Sequence, residues 1–122
     1  MIKIDNKLKN LIEKNALCLT TVKNNKPHAI AVAYAKVIKN KILITDNFMK
    51  ETKGNLKENN NVALAVWNRN WEKNCIGFEI KGKAKYFSSG KWREFVKKIP
   101  ENKKYSAKGA ILITISKIKK LA

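Results

Sequence analysis

Residues 41 to 56 read Lys41-Ile-Leu-Ile-Thr-Asp-Asn-Phe-Met-Lys-Glu-Thr-Lys-Gly-Asn-Leu56. The apolar run Ile42 to Ile44 predicts a short buried strand, and the segment from Met49 to about Asn60 predicts a helix after it. Free backbone N–H groups and the helix dipole attract anions at a helix start, so this stretch is a candidate phosphate site. An ordinary solvated helix start fits the same residues, and both interpretations stay open. The side chains that would bind the phosphate are Lys50, Thr52 and Lys53.

The length of 122 residues predicts one domain, covering residues 1–122. A chain of this size can build a core but has little room for a deep cleft within one subunit. A ligand site shared between two copies would fit this size. No apolar run approaches the roughly 20 residues that cross a bilayer, and the first residues lack the apolar segment of a signal peptide. We therefore expect a cytoplasmic protein without a membrane partner.

Lysine dominates the charge of the chain. The net charge is +18, and among the 27 basic residues only Arg69 and Arg93 are arginines. Such a chain attracts polyanions. Direct readout of bases relies on bidentate arginine, however, and the lysines are spread over every predicted element. We therefore interpret the charge mainly as solvated surface, with a secondary attraction for phosphate-bearing ligands.

The remaining elements follow from apolar periodicity. Asp5 can cap a helix that runs to Asn15, and Ser88 can cap a second helix with the apolar stripe Trp92, Phe95, Val96 and Ile99. Strands are predicted over residues 16–22, 28–38, 42–44, 62–67, 76–87 and 109–115, and Gly77 and Gly82 mark a bend or bulge. This order predicts a mainly β fold, a small six-stranded antiparallel β-barrel with short helices at its ends.

An alternation of small residues marks the predicted strand from His28 to Ile38. Ala29, Ala31, Ala33 and Ala35 occupy every second position and would share one face. Alanine is not a favoured strand residue, so something must lie close against this face. Either a backbone or helix packs tightly on it, or a flat ligand lies along the strand.

A set of short segments occurs along the chain in a characteristic order. They are Ala16-Leu-Cys-Leu-Thr-Thr-Val, Lys26-Pro-His, Ala33-Tyr-Ala-Lys-Val, Ile44-Thr-Asp, Met49-Lys-Glu-Thr-Lys-Gly-Asn-Leu, Asn61-Val-Ala-Leu, Gly77-Phe-Glu-Ile-Lys-Gly-Lys-Ala and Ala110-Ile-Leu-Ile-Thr. Together they resemble the FMN-binding split barrel of the pyridoxamine 5'-phosphate oxidase superfamily, in its small single-domain form. The resemblance covers nearly the whole chain, and it rests on the ordered set because no single motif is specific.

The resemblance implies a homodimer that binds one FMN per subunit, non-covalently, at the interface. By position, Lys50 and Thr52 would contact the phosphate and Lys53 would add charge. Thr45 and Asp46 would meet the ring edge and the ribityl chain. The other positions that the resemblance places at the cofactor are Ala31, Val32, Ala33 and Tyr34 along the isoalloxazine, Met49 beside Lys50, and Tyr105 near a flavin-flanking aromatic of relatives.

Two departures separate the chain from the family's oxidases. Glu51 stands where relatives often have a lysine, which puts an acid beside the expected phosphate. The Arg and His pattern that binds substrate phosphate in pyridoxamine phosphate oxidases does not occur in residues 101–122, so oxidation of vitamin B6 is not expected. No catalytic residue stands out. We expect an FMN-binding flavoprotein for electron transfer, or an FMN-dependent oxidoreductase that reduces a small molecule, with an unknown redox partner.

Two other functions stay open. A split barrel can hold a deazaflavin or haem in place of FMN, although His28 is the only histidine that could ligate haem iron. Cys18 and Cys75 form no ligand motif, so no metal site is expected. A small basic barrel can instead bind single-stranded nucleic acid, with stacking groups chosen from Trp67, Trp71, Tyr86 and Trp92.

Overall fold

An antiparallel sheet of seven strands, curled into a half-barrel, forms the centre of the fold. The computed structural model describes residues 2–121. In chain order the elements are α1 (Asn6–Lys14), β1 (Leu17–Lys23), β2 (Lys26–Val32), β3 (Ala35–Ile38), β4 (Lys41–Asp46), α2 (Thr52–Glu58), β5 (Asn61–Trp67), β6 (Gly77–Phe87), α3 (Lys91–Lys97), a 3-10 turn (Pro100–Asn102) and β7 (Gly109–Lys120). The strands lie in the order β2-β1-β5-β6-β7-β4-β3. The predicted mainly β class with short helices is confirmed.

The predicted number of six strands was wrong, because the segment from His28 to Ile38 is not one strand. β2 ends at Val32, β3 begins at Ala35, and these two strands lie at opposite edges of the sheet. Only Ala33 and Tyr34 connect them, and three Cα–Cα steps reach at most about 11 Å. The sheet must therefore curl until its edges meet at this connection. Among residues 2–121 no ladder joins β2 to β3, so the barrel stays split there.

The break also divides the alanine series. Ala29 and Ala31 are exposed on the outer face of β2. Val32, the last residue of this strand, is buried in the core. Ala35 is buried opposite Ile44 on the inner side of the sheet. The prediction that all four alanines share one face was therefore wrong, because the alternation restarts at the split.

Two apolar cores lie on opposite sides of β4 and β7. The inner core fills the half-barrel and includes Ile42 and Ile44. The outer core lies where α3 covers the other face of these strands, and it includes Leu43 and Val96. β4 is therefore buried on both faces, which explains the uninterrupted apolar run at residues 42–44.

The hairpin turns follow from local sequence. Asn24 and Asn25 connect β1 to β2 with φ angles of 52° and 60°, and Lys39 and Asn40 connect β3 to β4 with φ angles of 49° and 64°. Two successive left-handed residues define the type I′ turn, whose twist matches that of paired strands. Asparagine tolerates this conformation better than most residues, so the Asn-rich loops specify both hairpins.

The helices follow the predictions less closely. Asp5 caps α1 by accepting a hydrogen bond from the Leu8 N–H at 2.8 Å, as expected. α2 begins at Thr52 rather than Met49, and Gly90 with φ 88° precedes α3 in place of the predicted cap Ser88. Phe95 is exposed instead of joining the apolar stripe. No helix within residues 2–121 has the length and apolar character needed to cross a membrane.

Helix α1 occupies the free edge of β3. Glu13 accepts hydrogen bonds from the backbone N–H of Val37 at 2.8 Å and from the ammonium of Lys9 at 3.0 Å. Burial by itself would raise the pKa of Glu13, but these hydrogen bonds outweigh it and hold the pKa below its usual value. Because the N–H of Val37 is already bound, it cannot pair with β2, and α1 thereby helps to keep the barrel split.

The bulge predicted at Gly82 is present between Lys81 and Gly82 of β6. A Cβ added to Gly82 would overlap the carbonyl oxygen of Thr114 and lie 3.0 Å from Cγ2 of Ile113. We expect Gly82→Ala to lower the free energy of unfolding by about 2 kcal/mol, as overpacking does.

The matched control is Gly54→Ala in α2, where an added Cβ would meet no atom within 4 Å. This variant should be neutral or more stable by up to about 1 kcal/mol, because alanine favours helix. Urea denaturation at one fixed protein concentration measures the free energy of unfolding of both variants. Equal stability of the two would contradict the close approach of β7 to Gly82.

Candidate functional site

A cleft with a volume of about 240 Å³ lies at the split of the barrel. We call it the split cleft. Three segments line it: the connection from β2 to β3, the turn that follows β4, and the loop that precedes β7. The lining residues are Ala31, Val32, Ala33, Tyr34, Thr45, Asn47, Phe48, Met49, Asn102 and Tyr105. Of the predicted cofactor residues, the structure thus brings together Ala31, Val32, Ala33, Tyr34, Thr45, Met49 and Tyr105.

Exposed aromatic rings form much of the surface of the split cleft. The exposed fractions are 52% for Tyr34, 72% for Phe48 and 38% for Tyr105. The rings of Phe48 and Tyr105 meet edge to face, with centroids 5.3 Å apart. Exposed aromatic groups that cluster in a concave surface are typical of a ligand site or an interface. The split cleft therefore suits a planar ligand and is open to a covering chain.

A buried amide cluster forms the polar wall of the split cleft. The Asn102 side chain donates to the Thr45 hydroxyl at 2.8 Å and to the Val96 carbonyl at 3.0 Å. Its own oxygen accepts from the Asn47 amide at 3.3 Å. The buried Oδ1 of Asn47 has no hydrogen-bond partner within residues 2–121. An acceptor in that state costs about 1–3 kcal/mol, so a ligand N–H at this wall would be favourable.

Asp46 supports the split cleft from behind and does not line it. Its side chain is only 1% exposed. The carboxylate accepts hydrogen bonds from the Met49 N–H at 2.9 Å and the Tyr86 hydroxyl at 2.6 Å, and the Lys108 ammonium lies 3.9 Å away. This arrangement fixes the turn at residues 46–49 and explains why α2 starts after it. Gly109 allows the contact, since a Cβ there would lie 2.5 Å from the Tyr86 hydroxyl.

The predicted phosphate residues do not reach the split cleft. Thr52 is buried, and Lys50 and Lys53 are exposed. The Lys53 ammonium lies 5.3 Å from the centroid of the Tyr86 ring, in a different groove. Oε2 of Glu51 lies 3.1 Å from Nδ1 of His28. The start of α2 is therefore next to β2, and the acid in the predicted phosphate site is paired with the imidazole.

The comparisons with known proteins establish the family. The sequence profile described as pyridoxamine 5'-phosphate oxidase matches residues 4–122. The uncharacterized protein MJ0282 of Methanocaldococcus jannaschii is 30% identical over 118 residues, which cover 91% of this chain and 75% of that protein. The chain therefore belongs to the pyridoxamine 5'-phosphate oxidase family, and the resemblance drawn from the ordered segments is confirmed.

Solved structures with low sequence identity share the fold. HupZ of Group A Streptococcus superposes with a TM-score of 0.86 at 20% identity, covering 98% of this chain and 94% of that one. An FMN-binding protein of Syntrophomonas wolfei gives a TM-score of 0.76 at 19% identity, with 93% and 83% covered. An F420 reductase gives 0.68 at 17% identity, with 89% and 92% covered. These likenesses show the split-barrel fold.

Phe48, Asn47 and Asn102 were not among the residues predicted from the sequence. Phe48 could have been found, because it stands between the predicted positions Thr45 and Met49. The two asparagines carry no local signal, since asparagine is common in turns and these two lie 55 positions apart along the chain.

The hydrogen bond between Tyr86 and Asp46 provides a test of the support that Asp46 gives to the split cleft. Burial and the hydrogen bond to Asp46 raise the pKa of Tyr86 above its ordinary value of about 10. The hydrogen bond from Tyr86 therefore contributes its full stabilisation below about pH 10. This contribution is lost as the pH rises further, because Tyr86 ionises at a lower pH in the unfolded chain than in the folded protein. Tyr86→Phe should lower the free energy of unfolding by about 1–3 kcal/mol at neutral pH, since Asp46 loses a donor.

Urea denaturation of both proteins between pH 7 and pH 11 measures this effect, and the difference should shrink above about pH 10. Tyr105→Phe is the control, because that ring is exposed, and it should change the stability by less than about 0.5 kcal/mol. A Tyr86→Phe variant as stable as the wild type at pH 7 would contradict the role of the Asp46 contact.

Proposed function

We propose that the protein binds FMN non-covalently in the split cleft and uses it to transfer electrons. The observation that carries the proposal is an aromatic cleft at the split of a barrel of this family, lined by the segment Ala31 to Tyr34. The solved relatives named as an FMN-binding protein and as an F420 reductase share this fold, which supports a flavin or a deazaflavin as ligand.

The residues of the split cleft fit a flavin ring. The ring is planar, and the cleft offers the faces of Tyr34, Phe48 and Tyr105 together with small side chains on β2. One edge of an isoalloxazine carries an N–H group. The unpartnered oxygen of Asn47 is an acceptor for such a donor. Asn102 forms hydrogen bonds with both Asn47 and Thr45, so the Thr45 hydroxyl belongs to the same polar wall. The chain thus has both an apolar and a polar contact for the ring.

FMN supplies the redox chemistry when bound, because its ring accepts and releases electrons. The chain would bind and orient the ring and provide a positive environment. The net charge of +18 favours the phosphate and any negative charge that the reduced ring gains. The residues that line the cleft include neither a carboxylate nor an imidazole. That lining favours simple electron transfer over a reaction that needs a protein acid or base.

The phosphate would lie at the start of α2, with Lys50 and Thr52 as its contacts; the ammonium of Lys53, the third predicted residue, lies over the Tyr86 ring in the other groove. Strand β2 connects the two places, because its Ala31 lines the split cleft and its His28 touches Glu51. From Ala33 back to His28 the strand covers about 17 Å, which gives the ribityl chain a path along β2. Since the Thr52 side chain is buried, its backbone N–H would make the contact.

Absorbance spectroscopy and FMN titration test the proposal. We expect the purified protein to show flavin absorbance, and the apo-protein to quench the fluorescence of added FMN. Lys50→Glu should weaken FMN binding about tenfold, because it reverses a charge at the phosphate. Riboflavin, which lacks the phosphate, should bind both proteins equally. A colourless protein that ignores added FMN would refute FMN as the ligand.

Lys7→Glu is the control for this titration. Lys7 is exposed on α1, and the substitution makes the same change in net charge. It should leave the FMN affinity within about twofold, because distant exposed charges are screened by salt. Titration with the deazaflavin F420 in the same assay identifies the preferred cofactor. Haem receives less support, because the single histidine, His28, pairs with Glu51 outside the split cleft.

We also propose that a second copy of the chain completes the site. The outer face of β2, β1 and β5 carries a patch of small side chains next to the split cleft. Ala31 belongs to both, so a chain that packs on this face would also cover exposed Tyr34 and Phe48. The paired residues of this face are Ala29 with Thr20, Ala31 with Cys18, Thr20 with Ala63, and Cys18 with Ala65.

A charge placed on the small-residue face should separate the subunits. We expect Ala65→Glu to convert a dimer to a monomer and to weaken FMN binding at the same time, because a buried unpaired charge is costly. Sedimentation velocity and the FMN titration measure the two effects, and circular dichroism verifies folding. Thr114→Glu on the exposed face of β7 is the control and should change neither. A wild-type monomer that binds FMN tightly would refute the shared site.

A further inference from the structure

A second groove, with a volume of about 530 Å³, lies between α2 and β6. We call it the lysine groove. Apolar and aromatic side chains line it together with lysines from both elements. Leu56 and Ala84 are buried and Tyr86 is half-buried. The lysines are Lys53, Lys57 and Lys85. The residues that line it are different from those that line the split cleft.

The positive charge of the lysine groove is not compensated. The ion pairs formed within residues 2–121 involve Lys9, Lys36, Lys97, Lys108 and His28, and none of the three groove lysines. The residues that line the groove include no carboxylate. The nearby Asp46 is buried beneath the Tyr86 hydroxyl, and its carboxylate already accepts hydrogen bonds from Tyr86 and from the Met49 N–H. A concave surface with charge of one sign concentrates the electrostatic potential and attracts anions.

Aromatic contacts position two of the ammonium groups. The Lys53 ammonium lies 5.3 Å from the centroid of the Tyr86 ring, and the Lys85 ammonium lies 5.4 Å from the centroid of the Phe87 ring. Cation–π attraction at these distances restricts the two side chains. The Tyr86 ring is fixed in turn, because its hydroxyl donates to Asp46 at 2.6 Å. Before any ligand binds, the groove therefore has one ammonium, that of Lys53, above the fixed Tyr86 ring, and a second, that of Lys85, near the Phe87 ring.

A row of lysines continues the positive surface along β6. Lys81, Lys83 and Lys85 are all exposed on the same face of this strand. Alternate residues of a strand lie about 6.8 Å apart, so the row presents charges at regular intervals. A ligand with several phosphates could extend from the groove along this row.

We propose that the lysine groove binds a phosphate-bearing ligand of nucleotide size that carries more than one negative charge. Its phosphates lie between Lys57 and Lys85, and its base or sugar covers Tyr86, Leu56 and Ala84. Asn60 and Ser88, which also line the groove, supply neutral hydrogen-bonding groups for a sugar or a base. A free nucleotide and a single-stranded nucleic acid share this chemistry, and the β6 row would bind the further phosphates of a strand.

The test compares two variants with the same change in net charge. Lys57→Glu with Lys85→Glu reverses charge in the groove, and Lys3→Glu with Lys7→Glu reverses it at exposed positions in and before α1. Calorimetry with the full-length protein at about 50 mM salt uses three probes, ADP, pyrophosphate and an oligothymidylate of about 12 nucleotides. The groove variant should bind ADP at least about tenfold more weakly than the wild type, and the control variant within about twofold.

The three probes separate the possible outcomes. Tighter binding of ADP than of pyrophosphate supports the contact with Tyr86, and equal binding overturns it. An oligothymidylate should bind with a salt slope of about −3.5, as expected for the three groove lysines together with Lys81 and Lys83 of the β6 row. If ADP displaces it, a nucleic-acid strand is the source of the phosphates. ADP that binds at least as tightly as the oligothymidylate identifies a free nucleotide. Equal weakening by both variants, or no binding of any probe, overturns the proposal.

An FMN titration of the groove variant keeps this proposal separate from the proposed function. Lys57 and Lys85 lie outside the split cleft and outside the predicted phosphate contacts, so FMN binding should not change. Loss of ADP binding with FMN binding intact assigns the effect to the groove. Circular dichroism of both double variants shows that each is folded. A groove variant that loses FMN together with ADP would contradict two independent sites.

Discussion

The connection Ala33–Tyr34 is the constraint on which the rest of the structure depends. Two residues join the edge strands β2 and β3, so the sheet must curl until these edges meet. The edges do not pair within residues 2–121, and Glu13 binds the backbone N–H of Val37 on the β3 side. The split cleft is the space that remains. Its position thus follows from the strand order, and its chemistry follows from the residues that border the gap.

Asp46 connects the split cleft with the lysine groove. Its carboxylate fixes the turn that carries Asn47, Phe48 and Met49 into the split cleft, and it also binds the hydroxyl of Tyr86 in the lysine groove. A buried carboxylate is stable only when it has enough donors, and this one uses a backbone N–H, a phenol and a nearby ammonium. The residue predicted as a ligand contact is therefore a shared support for both surfaces.

Local rules predicted those parts of the fold whose causes are local. The Asn-rich hairpins, the Asp5 cap and the buried strand at residues 42–44 depend on neighbours in sequence. The split could not be predicted from periodicity, because the alanines continue at every second position through residues 33 and 34, where the chain changes edges. The resemblance named the cleft residues Ala31 to Tyr34, Thr45, Met49 and Tyr105, but not Asn47 or Phe48. The amide pair Asn47–Asn102 and the direction of Lys53 depend on contacts between distant residues, which no local pattern encodes.

The position of β7 within the sheet affects how the chain can fold. β7 pairs with β6 on one side and with β4 on the other, and it thereby joins the four strands β2-β1-β5-β6 to the hairpin β4-β3. It is also the last of the seven strands in sequence. The two hairpins can form early from neighbouring residues, but the half-barrel closes only when β7 inserts between its two parts. During synthesis the edges of β4 and β6 that later pair with β7 therefore have no partner until β7 has been made.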